Sequence, residues 1–303
     1  MKSARRKFLT SAAGLAGMKA IETSSPAAAA ALPNVKLGKH QISRLIIGAN
    51  PMYGYSHFNR IYDSVMKDWY TPEKVCEVLR QSEQNGINTW QLSYHERSLS
   101  DLKRHRDEGG KIQFIVLSGR PIETDLKLMP KVAALGPIGI VHHGGVTDRF
   151  FRNNEHGKVR DFLKAVRDSG VLVGLSTHNP QNLERVENEG WDVDFYMTCC
   201  YQVTRPMDEV RKMTGELPLP AGEVYLEGDP ARMLRVVRQV KKTCLAFKVL
   251  AAGRRIQTTQ EVDRAFQFVL DSIKPQDAII VGMFPRVIDE VKENADRVRR
   301  MLA

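Results

Sequence analysis

Beyond Pro33 the chain alternates short apolar runs with longer amphipathic stretches. The apolar runs fall at 42–48, 87–92, 112–117, 138–142, 171–176, 193–199, 244–250 and 277–282. They are rich in β-branched residues and nearly continuous in apolar character, as strands of a parallel sheet buried on both faces must be. The stretches between them repeat apolar residues at helical spacing and carry helix boundaries. Thr71-Pro72-Glu73 supplies a cap, a first-turn proline and an acid ahead of Val75, Val78 and Leu79, and Gly86 ends that helix. Asp229-Pro230 opens a helix through Val240, and Thr258 with Glu261 has capping-box spacing ahead of Val262, Phe266 and Val269. A last helix is expected from about Pro285 to Leu302. Eight strands, each followed by a helix, predict a (β/α)8 barrel of the α/β class. A doubly wound open sheet is the alternative, but no Gly-x-Gly-x-x-Gly follows the first strand.

Three long connections, 49–70, 143–157 and 200–228, follow strands one, four and six. All lie on the C-terminal side of the strands, where barrel active sites form. The first holds Tyr53, Tyr55, His57, Phe58, Tyr62, Trp69 and Tyr70. Such density either offers flat stacking surfaces to a sugar-like ligand or packs against itself over the barrel mouth.

The first 31 residues have a different character. A basic start (Lys2, Arg5, Arg6, Lys7) precedes a small-residue apolar run from Phe8 to Gly17, and Ala27–Ala31 follow Ser24-Ser25-Pro26. This is the layout of a secretory signal with cleavage within 29–31. Arg5-Arg6 followed by Lys7-Phe8-Leu9 resembles the twin-arginine export motif, with Ala4 where Ser or Thr is usual and Lys19 interrupting the apolar run. The reading is a disordered signal peptide over 1–31, a barrel domain over 32–303, the twin-arginine machinery as a partner, and a periplasmic or otherwise exported location. An exported enzyme has no supply of freely exchanging nucleotide, so any cofactor should be tightly held.

Length and composition agree with one barrel. The chain has 303 residues, 42% hydrophobic and 26% charged, as in ordinary globular proteins. No apolar run reaches the roughly 18 residues of a membrane span. The net charge of +10 is spread among acids and partly resides in the signal segment, and no nucleic-acid motif accompanies it. Four cysteines are too few for a disulfide scaffold.

Several segments resemble the aldo/keto reductase superfamily. Leu37-Gly38-Lys39 and Ile42-Ser43-Arg44-Leu45-Ile46-Ile47-Gly48 look like its opening hairpin and first strand. Gly86-Ile87-Asn88-Thr89-Trp90, Gly174-Leu175-Ser176-Thr177-His178, Val193-Asp194-Phe195 and Val281-Gly282-Met283 with Glu293-Asn294 are similar to later segments, in the family's order, across residues 35–297. The resemblance implies a barrel with its site at the strand C-termini, NADP as cofactor, and a role for Ser176, Gly282, Asn294 and Arg254 in holding it. The family reduces carbonyls with Asp, Tyr, Lys and His, the Lys–Asp pair lowering the tyrosine pKa. Here Gln91 stands at the Asp position, Glu96 at the Tyr position with Tyr94 nearby, and Ser118 at the Lys position. Only the histidine is retained, as His142 or His143. Thr177 replaces the usual Asn, Met197 falls near the usual Gln, and the stretch from Gly282 to Asn294 is two residues longer than the family pattern.

Strand ends bring distant residues together at a barrel mouth. The candidate catalytic residues are His143, Lys248, Glu96, Tyr94 and His178. His143, His178 and Glu96 form a two-histidine, one-carboxylate set that can hold a divalent metal with open positions; the alternative is a hydrogen-bonded polar lining. Lys248 interrupts the apolar run Leu245–Leu250 and can serve as a base, an iminium former or a strand-end ion pair. Arg254, after Ala251-Ala252-Gly253, can present an anion-binding guanidinium. Adjacent Cys199 and Cys200 are expected to be buried structural thiols.

Three functions are consistent with these residues. The first is an exported aldo/keto reductase-like oxidoreductase on a sugar-like or other polyhydroxylated carbonyl or alcohol. The second is a non-redox lyase, isomerase or hydrolase using a His/Glu/Lys site, with or without metal. The third is a catalytically inactive binding protein. The substrate in each case is a small molecule.

Overall fold

The computed structural model describes residues 31–219 and 223–303. The signal-peptide reading of 1–31 therefore lies, but for its last residue, outside the described residues. The chain opens with an antiparallel hairpin, β1 (Asn34–Leu37) and β2 (His40–Ser43). Gly38 turns it at φ +58°, where a Cβ would stand 2.9 Å from Leu172. Eight parallel strands follow: β3 (Leu45–Gly48), β4 (Thr89–Ser93), β5 (Gln113–Leu117), β6 (Gly139–His142), β7 (Leu172–Thr177), β8 (Phe195–Cys199), β9 (Thr243–Phe247) and β10 (Ala278–Gly282). Each pairs with the next and β10 pairs with β3, closing the barrel. The (β/α)8 expectation holds.

Helices fill the return connections. They are α1 (Arg60–Trp69), α2 (Pro72–Gln84), α3 (Glu96–Asp107), α4 (Arg120–Thr124), α5 (Met129–Ala133), α6 (Gly144–Arg152), α7 (His156–Asp168), α8 (Pro180–Asn188), α9 (Met207–Thr214), α10 (Asp229–Gln239), α11 (Thr259–Ser272) and α12 (Glu290–Met301). Among the described residues, no helix is long and apolar enough to cross a membrane. The predicted caps form: the Thr71 side chain accepts from the Lys74 amide, and Thr258 from the Glu261 amide.

Strand alternation sorts the apolar residues into two cores. Ile47, Trp90, Val116, Ile140, Val173, Tyr196 and Ala246 face the helices. Ile46, Ile115, Val141, Phe195, Met197, Leu245 and Ile280 fill the lumen, and Val35, Leu37 and Ile42 of the hairpin pack against them from the N-terminal end. The lumen is thus plugged from below.

Four expected boundaries move. The run 42–48 divides at Arg44, whose guanidinium bonds the Asp277 carbonyl, so Ile42 and Ser43 belong to the hairpin. The run 244–250 stops at Phe247 because Lys248 turns left-handed at φ +60°. The connection 143–157 is largely helix, α6 starting directly after His143. The last helix begins at Glu290, not Pro285, after Glu290 accepts from the Phe284 amide.

Candidate active site

The alternation of β6 decides between the adjacent histidines. Val141 lies in the lumen and Ile140 among the helices. His142 therefore points outward, its ring edge-on to Phe162 and its Nδ1 2.7 Å from Thr147 Oγ1. Burial pushes its pKa down to about 3. His143 points to the mouth, where its Nδ1 accepts from the Gly145 amide and caps α6. Burial first, then the neighbouring His178, lowers its pKa to about 4. Both rings are neutral near pH 7.

His178, just past β7, is held by a buried carboxylate. Its Nδ1 lies 2.9 Å from Asp148 Oδ2, and its own amide also donates to that oxygen at 3.0 Å. Asp148 sits on α6, buried, and accepts three further hydrogen bonds, from Thr177 Oγ1 at 2.5 Å, Asn182 Nδ2 at 2.9 Å and Thr204 Oγ1 at 2.8 Å. Burial alone would raise its pKa; the bonds from His178 and Thr177 outweigh it and hold the carboxyl below its usual range. An ionised carboxylate only accepts, so Nδ1 of His178 carries a proton, and the neutral ring has its lone pair on Nε2. Gly144 permits this approach, since a Cβ there would stand 2.9 Å from His178 Cε1 and 2.8 Å from Ser176 Oγ. Asp148 lay unrecognised within the stretch read as a loop.

A second cluster ties three connections together above the barrel. Lys248 Nζ lies 3.1 Å from Glu223 Oε2 with its side chain only 7% exposed. Tyr225 OH donates to the same oxygen at 2.7 Å, and His57 Nδ1 to Glu223 Oε1 at 3.0 Å. His57 Nε2 in turn accepts from Asn50 Nδ2 at 2.9 Å. Burial would raise the Glu223 pKa, but His57 and Lys248 hold the carboxylate well below its usual range. Arg254 stacks on Tyr225 and Phe58 and donates to the His57 carbonyl. His57, Lys248, Ala251 and Ala252 all adopt positive φ here, a concentration of backbone strain of the kind held at functional sites. Glu223 escaped sequence reasoning because nothing distinguishes it within a polar connection.

The remaining predicted residues are dispersed. Glu96 lies exposed on the first turn of α3, because β4 ends at Ser93 and His95 caps the helix that carries Glu96 outward. Among the described residues no three His, Cys, Asp or Glu side chains gather to hold a metal, so the His143–His178–Glu96 trio is not assembled. Tyr94 is half-buried and packs against the helix-side core. Ser118 donates to Glu123 and accepts from the His143 amide, a supporting role. Ser176 is buried in the lumen beneath Gly144, and Gly282 ends β10 against Pro51. The Asn294 side-chain oxygen accepts from Arg297. Cys199 and Cys200 are free, buried thiols; burial raises both pKa values, Cys200 to about 12. The aromatics of the first connection pack on one another and on neighbouring rings: Phe58 meets Tyr62 and Trp69 meets Tyr70 edge-on, Phe284 contacts Tyr62, Trp69 and Tyr70, and Tyr53 meets His95 edge-on. Of the two alternatives for this connection the packing matches the second, since of that group Tyr55 alone stands largely exposed.

No family model matches the chain, and no curated protein matches it. Solved structures do. A 3-deoxy-D-arabino-heptulosonate 7-phosphate synthase from Thermotoga maritima is 15% identical, with 90% of this chain and 91% of that chain covered and a TM-score of 0.51. The glycerol dehydrogenase AKR11B4 from Gluconobacter oxydans is 11% identical over 88% and 94%, with a TM-score of 0.49. An aldo/keto reductase from Brucella melitensis is 14% identical over 89% and 99%, with a TM-score of 0.44. Structural neighbours thus include aldo/keto reductases beside other barrel enzymes. At these identities the likeness is one of fold: the chain is a (β/α)8 barrel.

Proposed function

We propose that this barrel is a non-redox acid–base enzyme that abstracts the proton α to the carbonyl of a small polyhydroxylated compound, as an isomerase, epimerase or eliminating lyase does. The observation that carries this reading is the His178–Asp148 dyad: an imidazole whose Nδ1–H is fixed on a buried carboxylate, leaving Nε2 free to take a proton. His143, neutral and alongside, can relay or return it.

Dinucleotide chemistry is the second reading, favoured by the opening hairpin that the family resemblance anticipated. The residues assigned to the cofactor fit it poorly. Asn294 is committed to Arg297, and Arg254 to the Phe58–Tyr225 stack and the His57 carbonyl. The tyrosine position is taken by exposed Glu96. No step is therefore routed through NADP. The Arg5-Arg6 segment supports export, and an exported enzyme is better served by chemistry that needs no exchanging nucleotide.

The test is proton exchange in D2O across a panel of aldoses, ketoses and keto-sugars, followed by NMR. Wild-type protein should deuterate the α-carbon of at least one compound, and His178→Ala should reduce that rate by roughly 10²–10⁴-fold. Exchange undiminished in His178→Ala, or absent throughout with a nicotinamide dinucleotide mass found on the native protein, would overturn the reading.

A further inference from the structure

Gln91 carries a donor that nothing uses. It lies midway along β4, in register with Gly48, which ends β3, and with Ile115 in the middle of β5. Its neighbours Trp90 and Leu92 pack outward against the helices, so alternation directs Gln91 into the lumen. The residue is 6% exposed, yet among the described residues its Nε2 has no hydrogen-bond partner. Its backbone is accounted for, the carbonyl accepting from the Ala49 amide at 3.0 Å.

A buried amide with two unfilled N–H groups lowers the folding constant by roughly 5- to 150-fold relative to an apolar residue of the same length. Such a group calls for an explanation. Leucines, isoleucines and valines fill the lumen around this level, so a methionine would fit the same space without the unmet donors. The lower lumen is already occupied by apolar side chains and plugged by the hairpin. The acceptor that Gln91 lacks must therefore come from the open, C-terminal side, which is where His143, His178 and Lys248 stand.

We propose that the Gln91 carboxamide receives the substrate's carbonyl oxygen at the barrel mouth, so that the substrate class is a hydroxylated aldehyde or ketone and not a polyol or simple glycoside. This assignment rests on the proton-abstraction reading. The α C–H bond breaks and its proton goes to His178 Nε2. The electron pair forms the C=C bond of an enol(ate), and the C=O π electrons move to the oxygen that Gln91 Nε2 holds. Returning the proton to the α carbon restores the original carbonyl; delivering it to the former carbonyl carbon gives the isomeric carbonyl once the α-hydroxyl proton has passed to the oxygen that Gln91 holds. The bond from Gln91 strengthens as the oxygen gains charge, so it favours the transition state over the ground state. A carboxylate at this position would repel the same oxygen.

The experiment follows the Gln91 side-chain ¹⁵NH₂ resonance, identified by its absence in Gln91→Met, while dihydroxyacetone is titrated into the full protein. Glycerol, which lacks the carbonyl, is the control. Denaturant unfolding of both variants accompanies it. The expected result is a saturable shift with dihydroxyacetone and none with glycerol, together with a higher folding constant for Gln91→Met and loss of exchange activity in Gln91→Glu. A resonance unmoved by dihydroxyacetone would overturn the assignment, as would a Gln91→Met protein that is less stable than wild type, since the amide would then have an internal partner. The two proposals fail separately. A shifted resonance without any α-proton exchange sinks the chemistry and supports the donor; exchange with an unmoved resonance sinks the donor alone.

Discussion

His142 gives the sharpest physical prediction, because its titration can be isolated from everything else that acid does. The ring is buried against Phe162 and Thr147, on the helix side of β6, and its pKa is lowered from 6.5 to about 3. A depressed histidine pKa means that the unfolded chain takes up the proton first. The folded state loses ground as pH falls below 6.5, and the loss continues until the folded ring protonates near pH 3. In His142→Gln this proton uptake disappears. The stability difference between wild type and variant should therefore change by about 3 kcal/mol between pH 7.5 and pH 4.5, at roughly 1.4 kcal/mol per pH unit over the steep part. Lost packing against Phe162 shifts the variant by a constant and leaves this slope untouched. The assay is urea unfolding at several pH values, followed by tryptophan fluorescence. Parallel pH profiles for the two proteins would refute both the neutral, buried ring and the outward placement of His142.

Three further outcomes follow from the same geometry. Asp148→Asn puts an amide donor among five donating partners and should cost about 3 kcal/mol or more in urea unfolding, and ¹⁵N NMR should show His178 losing its fixed Nδ1–H tautomer. Asp229→Ala leaves the Arg205 guanidinium, whose side chain is 2% exposed and whose Nη2 lies 2.6 Å from Asp229 Oδ1, with Glu209 as its remaining carboxylate; thermal and chemical unfolding should report a loss of about 3 kcal/mol. Ala252→Gly relieves a left-handed backbone at φ +50° and should leave stability unchanged or raise it by up to about 1 kcal/mol, whereas Ala252→Val should lower the melting temperature.

The barrel was legible because its strands are short, apolar and β-branched, and because helix caps such as Thr71 and Thr258 punctuate the returns. Gly38 and the apolar positions of the hairpin were readable through family resemblance. The site was less legible for reasons that can be named. Lys248 stood out as a charge in an apolar run, but its left-handed backbone, which ends the strand early, has no local signature in a non-glycine residue. His142 and His143 differ only by strand parity, and one residue of register exchanges them. Asp148 was hidden because 143–157 read as a connection, whereas helix α6 begins directly after His143. Glu223 acquires its meaning only when the connections carrying His57 and Lys248 meet it in space, a long-range fact that no window of sequence contains.

The hairpin beneath the lumen makes the barrel a vessel with one opening. Whatever reaches His178 must leave by the route it entered, and a product still seated above the apolar plug bars the next arrival. If a transformation here yields two fragments, the outer one has to depart before the inner one can move. The order of release is then written into the architecture, independent of how tightly either fragment is held.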